Sequence, residues 1–338
     1  MAEEIRWPRG FSVRPATLAD IPAAVDLFNA CSLLQLGVKE YDEEGLRLEW
    51  GVPGFNPATD TRLVFSQDGT LVGYGEMWNT DAPYVRAYTW GRVHPDHLGR
   101  GIGSALLRWE EGRERETIDK APPEAKVVLL HWTLHGDDAA KALLHANGFR
   151  LVRHFWRMLI ELDRPIPEPV WPEGIRVRTF LPDVDDRPLV SAIRDAFRDH
   201  WGFVESDFEE DVTRTRHWYG KDPHFDPSLW FLAVEGEEIV GVALCRKHQA
   251  EDPDLGWVNT VGVRRPWRKR GVALALLHHA FRELGKRGKR RVGLGVDSSS
   301  LTGATRLYER AGMRVSRQHD SFEKELRPGV DLSTQSAK

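Results

Sequence analysis

The residues with the plainest chemical purpose form the run Arg268-Lys269-Arg270-Gly271-Val272-Ala273, which follows Val261-Gly262-Val263 and opens the apolar-periodic stretch ALALLHHAFREL. The first amides of a helix have no intrahelical partner, and the macrodipole places about half a positive charge there, so a diphosphate accepts several hydrogen bonds at once. Gly271 leaves the backbone open to approach, and Ala273 adds almost nothing to it. Arg268, Lys269 and Arg270 add Coulombic attraction, and Arg264 and Arg265 stand close enough along the chain to meet a peripheral phosphate. Taken alone, an R-x-x-G-x-A pattern is loose, because basic residues at a helix start are commonly just solvated. The elements around it have to decide.

Those elements occur twice. FSVRPATLADIPAAVDLFNA, from Phe11, matches IRVRTFLPDVDDRPLVSAIRDAF, from Ile175: a short strand, a turn and an amphipathic helix. TRLVFSQDGTLVGYGEMW, from Thr61, matches LWFLAVEGEEIVGVALCRK, from Leu229, each a hairpin with an Asp-Gly or Gly-Glu turn. YTWGRVHPDHLGRGIGSALLRWEEG then matches VNTVGVRRPWRKRGVALALLHHAFREL at a constant offset of 170, so that Val93 corresponds to Val263 and Gly101 to Gly271. Finally VVLLHWTLHGDDAAKALLHANGF matches VGLGVDSSSLTGATRLYERAGM, each a strand and a helix closed by Gly148 or Gly312. The order β-α-β-β-β-α-β-α-β predicts an α/β (α+β) fold in two tandem domains, each a mixed, mostly antiparallel sheet flanked by helices. Four prolines within residues 163–174 predict a stiff linker between domains 1–162 and 175–326, and residues 327–338 lack an apolar period and read as a frayed tail.

Strand, loop, helix and the following TGATRLYERAGM together resemble the GNAT-fold N-acetyltransferase superfamily, in its tandem-domain, mycothiol-synthase-like branch, over nearly the whole chain. The resemblance implies acetyl-CoA as co-substrate, with its diphosphate on Arg268 to Ala273 and its pantetheine arm along Val261, Gly262 and Val263, whose backbone polarises the thioester carbonyl. It implies that Tyr308 protonates the departing thiolate, which suits a phenol near pKa 10 facing a thiol near 8.5. Ser300 stands where relatives carry an Asn and is expected to hydrogen-bond the cofactor. In the first copy the strand residue Val93 and the loop Gly99, Arg100, Gly101, Ile102 and Gly103 keep the backbone pattern, but Leu98 replaces the leading Arg or Gln and Leu144 replaces the tyrosine. Acyl transfer is not expected there, and the loop either still holds CoA through its amides or has lost it. One further departure is Trp257, where many members place a Glu as general base. An alkylammonium near pKa 10 must then lose its proton elsewhere, to a water chain or an acid such as Glu205, Glu209 or Asp211.

Composition narrows the partners. With 47 Lys plus Arg against 51 Asp plus Glu, the net charge of -4 argues against bulk attraction to nucleic acid or to anionic membranes. No apolar run approaches a membrane span of about 18 residues and the start MAEEIRWPRG has no apolar core, so a cytoplasmic protein is expected. Two cysteines, Cys31 and Cys245, exclude a disulfide framework; His131 with His135 and His278 with His279 are poorly spaced for one ion, and no metal is expected. There is no G-x-S-x-G elbow, Walker loop or complete G-x-G-x-x-G. Trp201, Phe203, Trp218, Tyr219, Phe225 and Trp230 cluster in one insertion and either line a pocket or fill the core. Asp199, Glu205, Asp207, Glu209, Glu210 and Asp211 beside them would favour a cationic acceptor. The expected activity is direct acetyl transfer from acetyl-CoA to a primary amine of a small molecule or peptide in the second domain, as a monomer or homodimer. A non-catalytic acyl-CoA-binding or sensing protein is the alternative.

Overall fold

A computed structural model describes residues 5–247 and 249–336. The chain forms two compact units, one of the residues to Arg153 with His319–Leu332, the other of His154–Gln318 with the residues from Ser333. The first unit runs β1 (Ser12–Arg14), α1 (Ile21–Leu36), α2 (Glu43–Trp50), α3 (Pro57–Asp60), β2 (Thr61–Phe65), β3 (Leu71–Trp78), β4 (Arg86–Val93), α4 (Ile102–Thr117), β5 (Val127–Leu134) and α5 (Asp138–Ala146). After it comes β6 (Arg150–Glu161). The second unit continues with β7 (Ile175–Thr179), α6 (Asp186–Phe197), α7 (Phe208–Lys221), β8 (Trp230–Glu235), β9 (Glu238–Arg246), β10 (Leu255–Val263), α8 (Val272–Lys286), β11 (Arg291–Asp297) and α9 (Ala304–Arg310), and β12 (Arg314–Arg327) closes the chain. No helix among the described residues is long and apolar enough to cross a membrane.

Each unit has the expected mixed sheet. In the first, β1 to β4 pair antiparallel and β4 pairs parallel with β5. In the second, β7 to β10 repeat the antiparallel run and β10 pairs parallel with β11. The repeated hairpin turns hold Gly69 and Gly236 at φ 84° and 62°, left-handed values that cost glycine nothing. Helices cover both faces. On α8, Val272, Ala275, Leu276, Ala280, Phe281 and Leu284 recur at helical spacing and are buried against the sheet with Phe231, Val292 and Leu294.

The expected boundary at residues 163–174 falls inside the second unit. The strand beside β11 is β6, with Phe155 opposite Asp297 and Glu161 opposite Arg291, whereas the strand beside β5 is β12, with His319 opposite Leu134. The two copies have exchanged their closing strands, and each exchange is anchored by burial. Met158 and Ile160 of β6 join the second unit's core, and Phe322 and Leu326 of β12 join Leu129, Leu144 and Phe149 in the first. With β6 already fixed, the proline-rich segment is part of the second unit, where Ile166 O accepts from Arg282 and Trp171 stacks edgewise on His279 at 6.1 Å. Residues 327–338 are also not a frayed tail over their described part. Val330 exchanges backbone bonds with Glu124 and Lys126, and Thr334 with Gly202 and Phe203, so these backbone groups are satisfied by pairing and not only by water.

Burial also leaves a titratable group in the first unit. Glu114 on α4 is fully buried, its two oxygens accept from Asn79 Nδ2 at 2.9 and 2.8 Å, and burial pushes its carboxyl up to about 7. An acid whose folded pKa lies above its unfolded value, 4.5, destabilises the fold increasingly as pH rises from there, with the full cost present above about 7. That cost is on the order of 3 kcal/mol. Asn79 Oδ1 is buried without a donor, and a Gln side chain at 114 supplies one. Glu114→Gln is therefore expected to stabilise the protein at pH 8 and to flatten its dependence on pH between 5 and 8. Urea midpoints at the two pH values decide it, and equal gains at both would remove the titration argument.

Candidate active site

The site starts where two strands part. β10 stays paired with β9 to Val263, with an irregularity between Val258 and Thr260, while its parallel pairing with β11 ends at Val258 opposite Leu294. Beyond that point Val261, Gly262 and Val263 have no strand partner on the β11 side among the described residues, and apart from Val263 O, which accepts from Arg268, this edge is open to an extended ligand. Phe197, the last residue of α6, closes one side of it: a Cβ built on Gly262 would lie 2.9 Å from Cε2 of that ring. The first unit repeats the arrangement, its parallel pairing ending at Thr89 opposite His131, with Val93 beyond.

The loop after β10 has the backbone form that the diphosphate argument needs. Lys269 and Gly271 both take left-handed φ, 62° and 95°, and the matching Gly99 and Gly101 take 73° and 81°. Arg268 and Leu98 are likewise extended, at φ -66°, ψ 158° and φ -63°, ψ 154°. The cradle is therefore present in both units although only one has the leading arginine. Holding a lysine in this conformation costs roughly 1–2 kcal/mol relative to glycine. The amides of Lys269, Arg270 and Gly271 make no hydrogen bond among the described residues, and the first intrahelical bond here runs from Ala275 N to Gly271 O. Val272 and Ala273 follow as the first residues of α8, as Ile102 and Gly103 do for α4. A Cβ on Gly271 would meet nothing within 4 Å, whereas one on Gly103 would meet Leu143 at 2.8 Å. The first glycine keeps the loop's conformation and open approach; the second lets the helix pack.

The basic side chains are less available than their sequence suggests. Arg268 is spent inside the protein: Nε donates to Val263 O at 3.0 Å, Nη2 to Ala196 O at 3.0 Å and Nη1 to Asp199 at 2.6 Å. Arg265 also grips Asp199 through two bonds, and these guanidiniums hold the Asp199 carboxyl far below the usual carboxylate range. Arg264 is paired with Asp195 and Glu238, and Arg270 with Glu235 at 3.2 Å. Lys269 is exposed and makes no ion pair among the described residues. Arg268 thus ties α6 to the loop, and what the loop leaves open to an anion is its backbone amides with Lys269 beside them. Asp199 carried no such signal in sequence, because its two partners lie 66 and 69 positions away.

Tyr308 on α9 is buried in the core cluster with Val263, Leu294 and Val296. Burial pushes its phenol up to about 12, and its hydroxyl has no hydrogen-bond partner among the described residues. Leu144 occupies the equivalent place on α5: Phe149 N bonds Leu144 O as Met313 N bonds Tyr308 O. Ser300 Oγ accepts from Ala304 N, the first amide of α9, at 3.3 Å and lies 3.2 Å from Thr302 Oγ1. Trp257 packs over Gly293, and Arg157 sits 4.9 Å from its ring while pairing with Glu251. Of the clustered aromatics, Tyr219, Phe225 and Trp230 pack together with Phe180 as core, and Trp201 donates to Gln335.

Family models agree with this architecture. The acetyltransferase (GNAT) family matches residues 190–313, and an acetyltransferase (GNAT) domain matches residues 59–151. A mycothiol acetyltransferase of Thermobispora bispora is 33% identical over 91% of this chain and 94% of its own. The chain belongs to the GNAT acetyltransferases. A mycothiol acetyltransferase of Streptomyces scabiei is 34% identical over 74% of this chain and 75% of its own. The crystal structure of a GCN5-related N-acetyltransferase from Sphaerobacter thermophilus shares 39% identity over 98% of this chain and 100% of that one, with a TM-score of 0.79. A tandem GNAT protein from the clavulanic acid biosynthesis pathway, at 17% identity and a TM-score of 0.71, shares the fold. This GNAT protein is thus an acetyl-transferring acyltransferase with two tandem domains, and the family's co-substrate is acetyl-CoA. Three features of the second unit suit that molecule: the unpaired strand edge, the free loop amides and the open approach at Gly271.

Proposed function

We propose that the second unit transfers the acetyl group of acetyl-CoA directly to a primary amine, and that the first does not catalyse. One observation carries this reading: Tyr308 is a buried residue whose hydroxyl has no hydrogen-bond partner among the described residues, at a place where the first unit has Leu144. The amides of Lys269 to Gly271 hold the diphosphate, and the edge Val261 to Val263 holds the pantetheine arm and stabilises charge developing on the thioester oxygen. Tyr308 donates its proton to the departing sulfur. The same apolar surroundings that raise the phenol pKa raise that of the thiol, which keeps the pair matched. Both cysteines are buried, with thiols shifted upward by desolvation, so neither supplies a thiolate for a covalent intermediate. The relatives' name, mycothiol acetyltransferase, places thiol-bearing amines first among the trials.

The test is thiol release from acetyl-CoA by the full-length protein with a panel of aminosugars, polyamines and peptide amines. Amine-dependent release that also yields the acetylated amine by mass spectrometry is the expected result. Tight acetyl-CoA binding with no turnover for any amine would instead describe the acyl-CoA-binding alternative.

A further inference from the structure

The proton on the acceptor nitrogen has no obvious destination. The position expected to carry an acid is Trp257, and the acids of the inserted segment are already engaged, except that Glu210 Oε2 is buried with no partner among the described residues. Glu209 makes two 2.8 Å bonds to Arg187, Asp211 pairs with Arg194 at 2.5 Å, and Glu205 lies 3.5 and 3.8 Å from Arg194 and Arg198. Asp207 caps α7 and Asp199 is held by two arginines. A carboxylate so paired is a poor proton acceptor, because protonation forfeits its charge-assisted bonds.

His200 differs from all of these. Its ring lies 4.3 Å from the ring of Phe197, the same ring that closes on Gly262 in the thioester strand. Its nitrogens make no hydrogen bond among the described residues, and its backbone is fixed by the bond from His200 N to Phe197 O at 2.8 Å. The following residues are clasped by the chain's end, with Gly202 N donating to Thr334 O and Thr334 N to Phe203 O. A free imidazole on a fixed turn beside the cofactor strand is placed to meet an entering acceptor.

We propose that His200 is the general base that takes the proton from the acceptor amine, a role that rests on the amine-transfer reading above. The ammonium gives one proton to a neutral imidazole nitrogen, and the freed lone pair forms the N–C bond. As the C–S bond breaks, Tyr308 protonates sulfur; the second nitrogen proton returns through water to Tyr308, and His200 releases its own to solvent. One proton is liberated per turnover. The charged groups facing the imidazole are Arg268 from the loop, Asp297 from the end of β11 and Asp199 on its own turn; desolvation and Arg268 lower its pKa from 6.5, while the two acids oppose them. It is therefore neutral at pH 7, and activity rises with pH through an ionisation on the acidic side.

The experiment follows the pH dependence of kcat/KM for the best amine with saturating acetyl-CoA, in the wild type and in His200→Gln. Glu210→Gln serves as a comparison, since Glu210 Oε2 is a buried acid oxygen of the same segment without a partner among the described residues. The expected result is a loss of about 10²-fold or more in kcat for His200→Gln, disappearance of the acidic limb, an acetyl-CoA KM within about twofold and partial rescue by added imidazole. Retention of the acidic limb in His200→Gln, or its loss in Glu210→Gln alone, overturns the assignment. Failure of the wild type to acetylate any amine overturns the amine-transfer reading itself, and that outcome is visible before either variant is compared.

Discussion

Replacing Tyr308 with Phe is expected to lower kcat for acetyl transfer by roughly 10²- to 10³-fold while leaving acetyl-CoA binding nearly unchanged. The substitution removes one oxygen from a side chain that is 6% exposed and otherwise packed among apolar neighbours, so the core has nothing to repair. Because the hydroxyl has no partner among the described residues, its loss strands no buried donor or acceptor there, and stability should change little. What disappears is the proton that sulfur requires as the C–S bond breaks. Since burial holds the phenol up to about 12, the wild type should show no loss of the acid form below pH 10. Single-turnover thiol release with calorimetry of acetyl-CoA binding separates the two quantities. A kcat unchanged by the substitution would transfer the acid's role to water.

Phe322→Ala should destabilise the first unit by about 3–5 kcal/mol, although residue 322 belongs to the second half of the chain. Phe322 is 1% exposed and packs with Leu129, Leu144 and Phe149 from β12, which lies beside β5. The loss is a large part of the roughly 5–15 kcal/mol that holds a domain folded. Amide exchange should therefore accelerate along Val127–Leu134, while Arg291–Asp297 stays protected. Acceleration confined to the latter strand would mean that β12 closes the second unit, as the order of the sequence alone suggests.

That contrast shows where the sequence stops being informative. The repeat, the hairpins and the strand-loop-helix passage at Val261 to Ala273 could be read directly, because alternation, helical period and glycine position are local properties. The matched left-handed positions at 99 and 269 confirm the register of the repeat even where lysine replaces glycine. The exchange of β6 and β12 could not be read, since both strands satisfy either sheet's alternation and only the competition between long-range pairings selects one. The same holds for Arg268. Its spacing marks it as basic and near a helix start, but its bonds to Val263, Ala196 and Asp199 depend on how α6 returns to the loop.

The sequence by itself determined the repeated α/β architecture, the glycine-bearing strand-loop-helix passage of each copy and the tyrosine at 308 where the first copy has Leu144. Tertiary structure alone decided which strand completes each sheet, which charges are consumed as internal ion pairs and that the His200 ring lies against Phe197 with no hydrogen bond among the described residues. The division follows from range. Backbone conformation and periodic burial are set within a few residues, whereas the availability of a charged or titratable group depends on partners that folding brings from dozens of positions away.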